Sequence, residues 1–276
     1  MIKCKLSTIN KRDMGNITMD KQTANNRNAA VFNSAYTFLG RQYQDIPSLI
    51  TALAKNWDEG KKQLYQSLTY RFFKDFDADI ANLCKEAEIE AASNSNDDVV
   101  YWNLLYEIYP ELNGFHWKGQ SYHSLTDLGY DMLKRLQKND ESNYPYWDGI
   151  LNNKLLTSYL SKTEIKNTEL TSVCSALETA HGADSRSDRE TLVNYRAMAY
   201  LLSGQRLFMV GNKQIKDVSE LANYMKTLLD SSYEKFEGFC HNLIDYNDSL
   251  DARFEAWLIS LGKKKELDAW KASLTG

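Results

Sequence analysis

Only three prolines and thirteen glycines punctuate the 276 residues, and nowhere do about eighteen apolar residues follow one another. Few breakers predict long helices, and the missing apolar run argues against a helical membrane span. Cys4, Cys84, Cys174 and Cys240 stand far apart and form no C-x-x-C pair. The first thirty residues lack the apolar core of an export signal, so reduced thiols and a cytoplasmic setting are expected. Glycines do not cluster after a strand, which argues against a phosphate-binding loop or a dinucleotide fingerprint. The four histidines, His116, His123, His181 and His241, show no metal-ligand spacing. The Asp75, Asp77, Asp79 run has Ile80 where a calcium loop needs glycine, so it reads as a solvated helix connection. Neither a metal nor a cofactor is expected.

Charge is modest. The net value of −4 and pI near 5.7 speak against nucleic acid as a partner. Residues 1–28 are an exception: Lys3, Lys5, Lys11, Arg12, Lys21 and Arg27 face only Asp13 and Asp20. They form a basic leader, expected to be flexible, on an otherwise acidic chain.

What is present is a device used three times. "FLGRQYQDIPSL", "FHWKGQSYHSLTDL" and "LFMVGNKQIKDVSEL" each bring alternating apolar residues to a glycine, Gly40, Gly119 or Gly211. An apolar residue follows (Tyr43, Tyr122, Ile215), then a helix-capping residue (Asp45, Ser124, Asp217). Next come Ile46, Leu125 or Val218, and a further leucine three positions on. Alternation sets one side of a short strand against a core, and glycine supplies the positive φ of a tight turn. Asp or Ser then accepts from the free N–H groups of the helix start. Each copy predicts a β-hairpin that launches a helix.

Downstream, "NWDEG", "YWDG" and "KFEG" recur, with Trp57, Trp147 and Phe236 expected as core pins. Gly60, Gly149 and Gly238 are expected to end one helix and open the turn to the next. Helical runs follow ("LYQSLTYRFF", "ILNNKLLTSYL", "LDARFEAWLISLG"), then shorter closing segments. The stretches "DVVYWNLLYEIYP" and "RETLVNYRAMAYLLS" predict one amphipathic helix between copies. The fold class is therefore mainly α: three divergent repeats, each a short β-hairpin followed by three or four helices. The boundaries are 1–28 leader, 29–97 repeat 1, 98–188 repeat 2 and 189–276 repeat 3.

The run from the glycine hairpin through S-L-x-x-L to "ALAKNWDEGKKQLY" resembles helical repeat modules of large bacterial proteins. Those modules accompany eukaryotic-like serine/threonine kinase domains or Hsp70-like and J-domain segments. The kinase motifs are lacking here, with no glycine-rich phosphate loop, HRD or DFG. The resemblance implies an accessory or scaffold region, a piece of a larger system.

The functional expectation is a non-enzymatic scaffold or adaptor, with regulatory use, that binds another protein. The alternatives are an enzyme with a dispersed active site and an immunity or regulatory factor that masks a partner. Tyr146 has no counterpart in the other copies, unlike Tyr144, and is the candidate exposed contact. His116 and His123, expected on the two arms of the second hairpin, complete the candidate partner-binding set.

Overall fold

A computed structural model describes residues 30–274, apart from 94–95, 164–166, 184–185, 211–212 and 245–248. The basic leader and the turn glycine Gly211 lie outside the described residues. The chain divides into two compact units, one ending at Leu49 and one running from Ile50 onward.

In the first unit, β1 (Val31–Phe38) pairs antiparallel with β2 (Arg41–Asp45), Phe38 opposite Arg41 and Tyr36 opposite Tyr43. Leu39 and Gly40 join them with φ of 50° and 73°, the two positive values of a type I′ hairpin turn. Phe32, Tyr36 and Phe38 are buried on one side. The Asp45 carboxylate accepts from the Ser48 N–H at 2.7 Å, opening α1 (Ile46–Lys55) with Pro47 in its first turn. Helix α1 carries the chain into the second unit.

There α2 (Trp57–Tyr65), α3 (Leu68–Lys74), α4 (Ala78–Ser93) and α5 (Asp97–Ile108) precede the hairpin β3 (Phe115–Trp117) and β4 (Gln120–Tyr122). Next come α6 (Leu125–Gln137), a 3-10 turn, α7 (Tyr144–Asn152), α8 (Leu155–Lys162), α9 (Thr168–His181) and α10 (Asp188–Ser203). A third hairpin, β5 (Phe208–Val210) and β6 (Lys213–Ile215), leads to α11 (Val218–Ser231), α12 (Tyr233–His241), α13 (Ala252–Ser260) and α14 (Lys264–Leu274). The described chain is thus mainly helical, with fourteen α-helices and three two-stranded antiparallel hairpins. All three hairpins launch a capped helix. Ser124 accepts from Asp127 N–H to start α6, and Asp217 accepts from Glu220 N–H to start α11.

Two expectations need correcting. Gly60, Gly149 and Gly238 sit inside α2, α7 and α12, so none of them ends a helix. The reason at the first two is close approach. A Cβ on Gly60 would lie 1.9 Å from the Tyr101 hydroxyl, and one on Gly149 would lie 3.1 Å from the Trp117 indole nitrogen. The runs "LYQSLTYRFF" and "ILNNKLLTSYL" are each broken into two helices. Ser67 and Lys154 adopt left-handed φ of 55° and 54° at the break, a bend that hydrophobic periodicity does not encode.

Two helices organise the second unit. Helix α5 buries Val100, Tyr101, Trp102, Leu104, Leu105, Tyr106 and Ile108 nearly all round its circumference, as a helix enclosed by neighbours must. The Tyr101 ring meets Trp57 of α2 edge-on at 5.0 Å, and Tyr106 meets Tyr159 of α8 at 5.6 Å. Helix α10 packs most extensively against α6 and α13. Its contact with α6 depends on Gly129, where a Cβ would fall 2.3 Å from the Ser203 backbone nitrogen. Trp147 of α7 meets Tyr195 of α10 edge-on at 5.2 Å, matching the Trp57–Tyr101 pair.

Candidate functional site

The three residues singled out from sequence fall in different surroundings. His116 in β3 is buried; Nδ1 lies 2.7 Å from the Ser121 hydroxyl and Nε2 lies 2.8 Å from the Asn113 carbonyl. Both ring nitrogens are engaged, so this is a packed core histidine. His123 follows β4, off the arm, and is exposed. Tyr146 in α7 is half-buried, and its hydroxyl is fully enclosed without a hydrogen-bond partner. Burial pushes that hydroxyl's pKa up. The structure does not gather these three into one exposed patch.

Three polar clusters join residues that lie far apart in the sequence. Asp98, at the start of α5, accepts from the Trp57 indole at 2.7 Å, Lys61 at 2.6 Å and Lys118 at 2.9 Å. Burial opposes its charge, but Lys61, Trp57 and Lys118 outweigh it and hold the carboxyl below its ordinary range. In the second cluster, one oxygen of Asp148 accepts from His181 Nε2 and from the Tyr195 hydroxyl, each at 2.7 Å. His181 is wholly buried and its Nδ1 has no partner. Desolvation lowers its pKa despite Asp148, so the ring is neutral and donates through Nε2.

The third cluster caps a helix. The buried Glu178 of α9 accepts from the Leu156 N–H at 2.9 Å, the Thr157 N–H at 3.3 Å and the Thr157 hydroxyl. It thereby satisfies the free N–H groups at the start of α8. Glu88 of α4 accepts from the hydroxyl of Ser67, just before α3, without bonding a helix N–H. One signal could have found this pair: each glutamate stands four residues after a buried cysteine, Cys84 or Cys174. Burial pushes the Cys84 thiol up to about 12, so it is inert, and the Cys174 thiol is raised for the same reason. Cys240 on α12 is free and half-exposed. These clusters hold helices together. Among the described residues no three His, Cys, Asp or Glu side chains are grouped to hold a metal ion.

The surface feature that stands apart is apolar. Helix α6 buries Leu125, Leu128, Gly129, Met132, Leu133 and Leu136, whereas α11 buries Leu221 alone. Val218 and Leu229 on α11 are exposed, and Tyr233 at the start of α12 is 67% exposed. Leu207 and Met209 at the third hairpin and Ile244 after α12 are exposed as well. Around α11 and α12 stand the exposed Lys226, Asp230, Glu234, Lys235 and Glu237, a rim of both signs. An apolar strip with a mixed polar rim is the composition of a protein interface.

Fold and surface together define a mainly helical protein with three hairpins and an open apolar strip near its C-terminal end. Comparison with family models, curated proteins and solved structures returned no match to this chain. No described helix is long and apolar enough to cross a membrane.

Proposed function

We propose that this chain is a non-enzymatic scaffold or adaptor made of three divergent repeats, and that it binds another protein through α11 and α12. The observation that carries the reading is the exposed apolar strip on α11, where the corresponding face of α6 is buried. The recurring order of elements supports the repeats. Each hairpin is followed by four helices, and α5 and α10 lead from one set to the next. The edge-on pairs Trp57–Tyr101 and Trp147–Tyr195 fall at matching places, and Glu88 and Glu178 each accept a hydrogen bond at the start of the helix preceding their own. The resemblance to modules of large bacterial proteins makes the chain an accessory part of a larger regulatory system. Exposed aromatic anchors such as Tyr233 supply much of the binding energy in such surfaces.

A photo-crosslinking amino acid placed at Tyr233 tests this. One protein should be captured in stoichiometric yield, and Leu229→Asp should abolish the capture without lowering the melting temperature. A partner held equally well by the Leu229→Asp chain would refute the assignment. The same surface suits a factor that masks a partner's active site, and loss of the captured protein's activity on binding separates that role from scaffolding.

A further inference from the structure

The apolar face of α11 is not random. Aligned on their caps, α6 buries Leu125, Leu128, Gly129, Met132, Leu133 and Leu136, and α11 has Val218, Leu221, Ala222, Met225, Lys226 and Leu229 at the same positions. Both faces have a small residue at the same place among large apolar ones, with Lys226 on α11 standing where α6 has Leu133. On α6 that small residue is where α10 comes closest, with Ser203 and Leu202 of α10 against Gly129. On α11 Leu221 is buried, but Val218, Ala222 and Leu229 are exposed and Met225 is half-buried. Helix α11 packs mainly on α12 and on its own hairpin. Among the described residues there is thus one filled example of this seat and one open counterpart.

We infer that α11 is a docking seat for a single amphipathic helix of a partner protein, laid against it as α10 lies against α6. This rests on the repeat reading proposed above. The size of the seat decides between occupants. Helix α11 has 14 residues and spans about 20 Å, and its exposed face is about one helix wide. That footprint falls far short of the ~800 Å² each partner buries in a standard interface between folded proteins, such as a second copy of this chain. It suits helix-in-groove recognition, read through anchors spaced i, i+4, i+7 and i+11 as at Val218, Ala222, Met225 and Leu229. The occupant carries a small residue opposite Ala222 and large aliphatic residues on either side.

The chain supplies its own probe. A fluorescent peptide with the sequence of residues 188–203 (α10) should bind the full chain saturably at ~10–100 μM. Met225→Asp and Leu229→Asp should each weaken it tenfold or more, and Ile89→Asp, at an exposed site on α4, should not. No binding up to about 1 mM, or binding indifferent to the α11 substitutions, overturns the inference. Self-association of the chain that Leu229→Asp abolishes makes a second copy the occupant and overturns it too. A crystal structure of the chain with the peptide separates the two levels. If α6 and α11 with their hairpins fail to superimpose, the repeat reading falls. If they superimpose and the peptide does not bind, only the docking seat falls.

Discussion

At the scale of single residues, Gly60 and Gly238 should behave differently although their motifs look alike. Gly60→Ala forces a methyl into the Tyr101 hydroxyl and within 2.9 Å of the Leu53 carbonyl, so it should cost about 1–3 kcal/mol by overpacking. Nothing lies within 4 Å of a Cβ at Gly238, so Gly238→Ala should stabilise by roughly 0.5–1 kcal/mol through helix propensity. Chemical denaturation of the two variants checks both signs. The aromatic pins divide in the same way. Trp57 and Trp147 are buried, whereas Phe236 is half-exposed. Trp147→Ala should therefore cost about 3–5 kcal/mol and Phe236→Ala about 1 kcal/mol. Equal losses in thermal melts would contradict this division. His116 and His181 are both held below their ordinary 6.5, chiefly by desolvation. The unfolded chain then binds protons first on acidification, so this stabilisation is complete above 6.5 and is lost as pH falls below it. Denaturation midpoints should drop between pH 7.5 and pH 5, and His181→Gln should flatten that slope.

At the scale of elements, the short helix α8 depends on a residue from another helix. Glu178→Ala leaves the Leu156 and Thr157 N–H groups without an acceptor, and should cost about 1–3 kcal/mol. Glu178→Gln keeps an acceptor oxygen and should cost less, with urea titrations separating the two. Elements governed by local chemistry were legible in the sequence. The caps Asp45, Ser124 and Asp217, the turn at Gly119 and the linking helices α5 and α10 follow from residue type and spacing. Features set by distant contacts were not. A histidine at 181 shows nothing of its bond to Asp148, 33 positions earlier. The breaks at Ser67 and Lys154 were equally hidden, because non-glycine residues take left-handed φ there. Tyr146 lacked a counterpart, and that novelty suggested exposure; its hydroxyl is instead enclosed. The open face of α11 could not be read from its own residues, because it carries nearly the apolar pattern that α6 buries.

At the scale of the whole molecule, burial is uneven along the chain. Helices α5 and α10 are enclosed, while α11 and α12 each bury one side chain, Leu221 and Phe239. Regions with few buried contacts open at low free energy while enclosed helices open only with the global transition. Hydrogen exchange should therefore be fastest in α11–α12 and slowest in α10.

The three described cysteines turn this gradient into a built-in clock. Cys84 on α4 and Cys174 on α9 are wholly buried, while Cys240 on α12 is half-exposed. Each thiol marks a different hairpin-led stretch, and each becomes chemically visible only when its own helix loosens. A timed pulse of alkylating reagent followed by peptide mapping would register the opening of each stretch separately in the unmodified chain. Of these three, Cys240 should react before the others, and Cys84 and Cys174 should stay silent until the core yields.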